Sequence, residues 1–290
     1  GSMRLAGMIS GVGTLTKTGF GQLRLDGDSS GFTGAFILDQ GTVRLNPYTD
    51  RGLVSNVPAL GASSFEIHAG GDLLLYYNSL GTTPYYSAVS ETAPVHMTGG
   101  RIQYISNNSG SVSPWTQTMG DLFLDGGASR FLVQRSSSSS ATLLAFGDLS
   151  HAAGATADFR GTDGSGVTLA TLGSPGNQPR LTFNSLPAPV NDGILGGWAT
   201  VNLNDFADYD PVLGVRLATY TSTDITTAGA TDNVDMTGAG GVIATIGDTT
   251  VNSIKWTATA STSTIQQDPG TTLTIDTGGL LVLGNFNKRI

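Results

Sequence analysis

The sequence predicts an all-β protein whose strands stack as the coils of a parallel β-solenoid. Three observations support this prediction. Helical periodicity is nearly absent, short alternating strand runs follow a glycine or another small turn residue, and several of these runs recur at intervals of 20–30 residues. Repeats of about that length are typical of solenoids, whereas a β-sandwich shows a turn roughly every 8–12 residues.

The composition fits strands joined by tight turns. Glycine accounts for 41 of 290 residues, which is roughly twice its usual share, and charged residues are 12%, about half the usual share. The acidic residues are twenty Asp and only two Glu. Asp favours turns because its short side chain bonds nearby backbone amides, whereas Glu favours helices. The hydrophobic content of 39% is too high for a disordered chain.

Charge and cysteine content exclude several classes of function. The net charge of −8 argues against binding to nucleic acid or to an anionic membrane surface. The absence of cysteine excludes thiolate catalysis and cysteine-based zinc sites. Residues 1–3 read as a scar from tag removal, and residues 4–290 are expected to form a single solenoid fragment of a longer protein.

The glycine-led runs give the order of the strands. Alternating apolar and polar residues place one face of each run inward and the other outward. A glycine before the run allows the sharp turn that a positive φ provides. Runs begin at Gly21, Gly41, Gly71, Gly100 and Gly120, at intervals of 20, 30, 29 and 20 residues.

Residues 11–46 contain a longer motif with many fixed positions. It reads Gly-x-Gly-x-Leu-x-Lys-x-Gly-x-Gly-x-Leu-x-Leu-x-Gly, then a short loop, then another glycine-led strand. This segment closely resembles the autotransporter-associated β-strand repeat. Ala35 stands where that family has a second glycine, and Val43 where it has leucine. The motif positions are Gly11, Gly13, Leu15, Lys17, Gly19, Gly21, Leu23, Leu25, Gly27, Gly34, Gly41, Val43 and Leu45.

The resemblance implies a right-handed parallel β-helix in the passenger region of a secreted bacterial autotransporter. Residues 47–290 then read as degenerate coils with loop excursions, located outside the cell or on its surface. The parent protein is expected to be membrane-anchored outside this fragment. The first hypothesis is therefore a rigid stalk or display scaffold, with no catalytic activity, no cofactor and no metal. Cut coils expose strand edges, so end-to-end self-association is also expected.

Lys17 is the one charged position of the motif. One interpretation is a ligand contact. The favoured interpretation is structural: the stem of the lysine packs on the coil while its ammonium group bonds turn carbonyls or an aspartate.

An aromatic cluster supports a second hypothesis, a carbohydrate- or host-binding adhesin. Exposed aromatic side chains stack on sugar rings and on protein partners, so a glycan or a host-surface protein would be the ligand. The competing interpretation is that these side chains form a small satellite core. The residues are Tyr76, Tyr77, Tyr85, Tyr86 and Trp115.

An acidic segment supports a third hypothesis, a polysaccharide-degrading enzyme that uses Asp205, Asp208 and Asp210. Glycoside hydrolysis needs two carboxylates about 5–9.5 Å apart, and Asp208 and Asp210 share a face if the segment is extended. A solvated turn ended by Pro211 and a weak calcium site are the other interpretations. The histidines at 68, 96 and 151 are scattered, with no metal-binding spacing.

Overall fold

A computed structural model describes residues 1–46, 59–77, 87–106, 114–135, 141–163, 171–186, 193–238, 241–257, 262–284 and 287–289. The prediction of an all-β protein is confirmed, because the described residues form strands and turns and contain no helix. No helix in this part of the chain could therefore cross a membrane. Where the sequence suggested a single unit, the chain divides into two compact units. Unit 1 comprises Gly1–Pro187 and Asp210–Arg216, and unit 2 comprises Ala188–Tyr209 and Leu217–Ile290.

Unit 1 contains a sheet of parallel strands, which we call the first sheet. Strands are numbered in chain order, and each strand of this sheet pairs with the next in the list. Its strands in unit 1 are β1 (Ser2–Leu5), β3 (Gln22–Leu25), β5 (Gly41–Leu45), β7 (Gly71–Tyr77), β9 (Gly100–Ser106), β12 (Ala128–Gln134) and β14 (Thr156–Thr162).

The strands that lie between these in the chain, together with one strand after β14, form a second parallel sheet. They are β2 (Leu15–Lys17), β4 (Ala35–Leu38), β6 (Ser64–His68), β8 (Val95–Thr98), β10 (Trp115–Thr118), β11 (Leu122–Leu124), β13 (Thr142–His151) and β15 (Pro179–Ser185). The long strand β13 pairs with β10 through its first half and with β11 through its second half. β15 pairs with β13 on the other side. The chain therefore alternates between the two sheets.

Apolar residues at equivalent register positions form the core of unit 1. One row of aligned residues in the first sheet is Leu23, Val43, Leu73, Ile102, Phe131 and Phe159, at intervals of 20, 30, 29, 29 and 28 residues. The corresponding row in the second sheet is Leu15, Phe36, Phe65, Val95, Leu122 and Leu149. Apart from Leu15 and Leu23 in the first two strands of the motif, these side chains are buried. Each buried side chain contributes roughly 1.5–3 kcal/mol.

Glycines of the repeat motif let neighbouring segments approach closely. Gly41 has φ = +76°, and a β-carbon there would lie 2.6 Å from the carbonyl oxygen of Gly21. A β-carbon at Gly34 would overlap the carbonyl oxygen of Gly13. Gly120, in contrast, precedes β11 of the second sheet, so the 20-residue interval from Gly100 to Gly120 joins strands of different sheets.

Unit 2 contains two three-stranded sheets and an antiparallel pair of strands. Its strands are β16 (Ala199–Val201), β17 (Asp205–Asp210, of which Asp210 belongs to unit 1), β19 (Asn233–Asp235), β20 (Gly241–Ile246), β21 (Thr249–Thr257), β22 (Thr262–Gln267), β23 (Leu273–Leu283) and β24 (Asn287–Arg289). The strand β18 (Gly214–Leu217) lies mostly in unit 1. β16 and β17 are antiparallel, whereas β19–β21–β23 and β20–β22–β24 are parallel sheets. Their core residues are Ile225, Val234, Met236, Ile246, Val251, Ile254, Trp256 and Ile265.

Candidate functional site

A groove of about 540 Å³ lies beside the second sheet of unit 1, where β10 ends and β11 begins. Its lining includes two carboxylate side chains, Glu91 and Asp121, and the aromatic rings of His96 and Phe123. The described lining contains no lysine or arginine. The groove is therefore acidic and partly aromatic, which suits a neutral polar ligand better than an anion.

Two glycines shape this groove. A β-carbon at Gly120 would lie 2.6 Å from the carbonyl oxygen of Ala93, and one at Gly147 would overlap the carboxylate of Asp121. That carboxylate accepts a hydrogen bond of 2.8 Å from the backbone amide of Asp148. A side chain at Gly120 would displace the backbone near Ala93, whereas one at Gly147 would force the carboxylate of Asp121 to move.

His96 and Phe123 form a flat aromatic pair. They occupy aligned positions on β8 and β11, and their rings are parallel within 3°, with centroids 4.4 Å apart. Asp125 Oδ2 lies 2.8 Å from His96 Nδ1 and fixes the orientation of the imidazole. The sequence alone did not reveal this pair, because its members are brought together only by the register of β8 and β11.

The structure buries two of the three described aromatic residues of the adhesin hypothesis. Tyr77 and Trp115 are only 3% and 1% exposed, and their ring centroids lie 5.0 Å apart inside unit 1. This is the arrangement of the competing interpretation, a satellite core, and it leaves neither ring available to a ligand. Tyr76 is half-buried on the outer face of the first sheet. Tyr85 and Tyr86 lie outside the described residues.

A row of three arginines lies on the outer face of the first sheet. Arg4, Arg24 and Arg44 occupy aligned positions on the neighbouring strands β1, β3 and β5. Asp26, whose side chain is 5% exposed, accepts hydrogen bonds from Nε of Arg4 and, at 2.5 Å, from Nε of Arg24. The guanidinium carbon of Arg44 lies 3.9 Å from the centroid of the Tyr76 ring. We call these three residues the arginine row.

Lys17 bonds backbone carbonyls at the end of β2. Its ammonium group donates to the carbonyl oxygens of Thr18 at 2.9 Å, Gly19 at 2.5 Å and Gln40 at 3.0 Å. An ammonium group has three protons to donate, so these bonds use its whole capacity. This geometry matches the structural interpretation of Lys17.

Each of the three aspartates around β17 has hydrogen-bond or ion-pair partners of its own. Asp208 is 4% exposed and accepts a hydrogen bond of 2.6 Å from the amide of Tyr209. Asp210 accepts hydrogen bonds from the amides of Val212 and Leu213, at 2.8 and 2.9 Å. These bonds hold the pKa of the Asp210 carboxyl below its usual value.

Asp205 belongs to an ionic cluster inside unit 2. Lys255 Nζ lies 2.7 Å from Asp205 and 3.5 Å from Asp235, and the side chains of Lys255 and Asp205 are only 14% and 13% exposed. The hydroxyl group of Tyr220 donates to Asp205. Burial, and then this hydrogen bond, raise the pKa of Tyr220 well above its ordinary value. The negative charge of Asp205 is therefore balanced by Lys255 within unit 2.

The described histidines and carboxylates also have separate partners. His68 lies 3.2 Å from Asp39, and Nε2 of His151 lies 2.8 Å from the carbonyl oxygen of Ala155. Within the described ranges, no group of three or more histidine, aspartate or glutamate side chains is placed to hold a metal ion. The weak calcium site suggested for Asp205, Asp208 and Asp210 therefore has no ligand cluster in the structure.

Comparisons with known proteins identify no relative. The chain matches no protein-family model, and neither a curated protein nor a solved structure is significantly similar to it. The resemblance of residues 11–46 to the autotransporter-associated repeat thus depends on the motif positions alone.

Proposed function

We propose that the chain is a right-handed parallel β-helix that serves as a rigid stalk or display scaffold of a secreted bacterial autotransporter-type surface protein. The observation that supports this most directly is the alignment of buried residues along both sheets of unit 1. The chain alternates between the sheets, and each strand pairs with one that precedes it by 20–30 residues. A coil that rises by one strand at each turn produces this pattern.

A coiled chain of this kind suits a scaffold. Each coil contacts only its neighbours, so coils can be added without a change in the packing of the others. Parallel pairing also satisfies the backbone amides without charged side chains, in agreement with the low charge content of the chain. The proposed location is outside the cell or on its surface, and the proposed protein has no catalytic activity.

Spin-label distances test the proposed coil. The chain has no native cysteine, so pairs of introduced cysteines can be labelled without background. Gln22, Thr42, Asp72, Arg101 and Arg130 occupy one aligned outer row of the first sheet. We expect the distance from a label at position 22 to increase by about 4.8 Å for each step along the row, to about 19 Å at position 130. A distance that does not increase along the row contradicts the coil.

A panel of neutral and acidic polysaccharides tests the absence of catalysis. We expect no cleavage products from any of them. Cleavage that the substitution Asp208→Asn abolishes would overturn the proposal in favour of the enzyme hypothesis.

Glycan binding by an adhesin remains the second candidate, and the groove is the observation that favours it. The His96–Phe123 pair offers an apolar surface to the C–H face of a sugar, while Glu91 and Asp121 can accept hydrogen bonds from its hydroxyls. A glycan array with Phe123→Ala and Glu91→Gln tests this candidate. Phe20→Ala is the matched control, because Phe20 is 88% exposed in a turn away from the groove lining. Equal loss of binding in the control would count against the groove.

A further inference from the structure

The arginine row concentrates positive charge on a protein that is acidic as a whole. Aligned residues of neighbouring strands lie about 4.8 Å apart, so the side chains of Arg4, Arg24 and Arg44 start from closely spaced backbone positions. Asp26 is the described carboxylate that pairs with this row, and both of its oxygens are used by Arg4 and Arg24. Two positive charges of the row therefore remain without a described counter-charge.

Arg44 is the member of the row that has no hydrogen bond to a described carboxylate. Its Nε is buried and has no hydrogen-bond partner among the described residues. A buried donor without a partner costs about 1–3 kcal/mol. The guanidinium is stacked on Tyr76, and burial, followed by repulsion from Arg24, lowers its pKa from the ordinary value. Arginine nevertheless keeps its charge in proteins, so the group remains a cation. Among the described residues, the carboxylate that acts on it is Asp26, which also bonds Arg4 and Arg24.

The other arginines of the first sheet differ in this respect. Arg101 donates two hydrogen bonds to Asp72, at 3.0 and 2.7 Å, and Arg160 donates to Asp158. Arg130 is exposed and is aligned directly with Asp158. Each of these arginines lies beside a carboxylate, so among the described strands of unit 1 the excess of positive charge is found in the arginine row.

We propose that the arginine row binds an oxyanion, a carboxylate, sulfate or phosphate group, between Arg24 and Arg44. A guanidinium group presents two parallel N–H bonds that match the oxygens of these groups. The ring of Tyr76 supports Arg44 from below and limits its rotamers, so little side-chain entropy is lost on binding. The anion would bond the terminal guanidinium nitrogens of Arg24 and Arg44 and reduce the repulsion between these neighbouring groups. This ligand-binding role goes beyond a scaffold, and it does not depend on the scaffold being the function.

Isothermal titration of the full chain tests the proposal. Sodium sulfate, sodium phosphate and a sulfated oligosaccharide are titrated separately at constant ionic strength. The inorganic ions test binding of a free sulfate or phosphate, and the oligosaccharide tests binding of a sulfate group attached to a sugar chain. Binding of either kind supports the site if Arg44→Gln weakens it by about tenfold or more, since this variant removes a charge-assisted bidentate contact.

The matched control is Arg130→Gln, which removes an exposed arginine from the same sheet and should change the affinity by less than about twofold. Arg44→Lys keeps the charge without the bidentate geometry and should bind with intermediate affinity, which also covers the case in which Arg44→Gln does not fold. The proposal is overturned if neither ion nor oligosaccharide binds the unmodified chain, or if Arg130→Gln weakens binding as much as the Arg44 variants do. Absence of anion binding would not change the spin-label distances, which test the coil. The two experiments therefore distinguish a wrong anion site from a wrong scaffold proposal.

Discussion

Unit 1 and unit 2 use parallel strands in different ways. In unit 1 the buried residues belong to continuous rows, and each has an aligned partner on the neighbouring strand. In unit 2 eight buried residues form one compact core cluster, and the pairing of β20 with β22 and of β21 with β23 contains a register shift. Unit 2 also encloses the cluster of Asp205, Lys255, Asp235 and Tyr220.

This difference shows two sources of stability. Rows of aligned residues make the stability of unit 1 approximately a sum of similar interfaces between neighbouring strands. Unit 2 depends on contacts that occur once, including a mostly buried lysine that serves two aspartates. We therefore expect the substitutions below to act locally, and hydrogen exchange resolved by peptide can assign each effect to its unit.

The largest effect is expected for Phe131→Ala in unit 1. Phe131 is fully buried, and its ring centroid lies 5.2 Å from that of Phe159 and 5.9 Å from that of Phe146. Removal of the ring leaves a cavity and should lower the free energy of unfolding by about 3–5 kcal/mol. Chemical denaturation measures the loss. Leu132→Ala is the control on the half-buried outer face and should cost clearly less. An equal loss in both variants would contradict the inward and outward assignment of β12.

A somewhat smaller effect is expected for Lys255→Met in unit 2. The substitution leaves Asp205 and Asp235 without their described cation in a mostly buried setting. Breaking a buried pair costs about 3–5 kcal/mol, and the residual exposure reduces our expectation to about 2–3 kcal/mol. Hydrogen exchange should become faster in Lys255→Met, and only in peptides of unit 2. Arg216→Met breaks the more exposed pair with Asp210 and should cost less than about 1 kcal/mol.

Gly41→Ala tests the close approach of the motif segments in unit 1. The residue has φ = +76°, which costs an L-residue about 1–2 kcal/mol, and its β-carbon would lie 2.6 Å from the carbonyl oxygen of Gly21. We expect a loss of about 2 kcal/mol in a thermal or chemical unfolding experiment. Gly126→Ala is the control, because a β-carbon there meets nothing within 4 Å. If the two variants are equally stable, the close approach of the segments at Gly21 and Gly41 does not require glycine at position 41.

The sequence was most informative in the repeated part of the molecule. The glycine-led runs at Gly21, Gly41 and Gly71 predict strands whose register the structure reproduces, because alternation and turn glycines are local signals. The same alternation also predicts which of the neighbouring tyrosines Tyr76 and Tyr77 is buried. Leu73 and Leu75 face inward, and continuing the pattern by two residues places Tyr77 inward and Tyr76 outward.

The candidate sites were less predictable because they depend on register between distant segments. His96 and Phe123 become neighbours only when β8 and β11 are aligned, and Lys255 reaches Asp205 across fifty positions of the chain. The arginine row has the same origin. Arg4, Arg24 and Arg44 are twenty residues apart, and this interval becomes meaningful only once the strands that contain it are known to pair.

The smallest expected effects concern two aspartates that accept hydrogen bonds from turn residues, one from each unit. Asp210 in unit 1 accepts hydrogen bonds from the amides of Leu213 and Val212, and Asp224 in unit 2 accepts them from the amide and the hydroxyl group of Thr226. In both cases these bonds lower the pKa of the carboxyl. The stabilisation they give is therefore present above about pH 4, the ordinary range of Asp, and is lost as the pH falls through the lowered value.

Substitution of each aspartate by asparagine tests whether the pH dependence of stability is local to its own unit. An amide oxygen still accepts the hydrogen bonds but carries no charge, so Asp224→Asn should flatten the acid dependence of stability in unit 2 and Asp210→Asn should flatten it in unit 1. Hydrogen exchange between pH 2 and pH 5, corrected for the intrinsic exchange rate, measures both slopes. Asp224 is exposed, and Asp210 at the end of β17 is only half-buried, so any change at pH 7 should be small. If either variant changes the pH dependence of stability equally in both units, the two units unfold together. The aligned rows of unit 1 and the core cluster of unit 2 would then not be separate sources of stability.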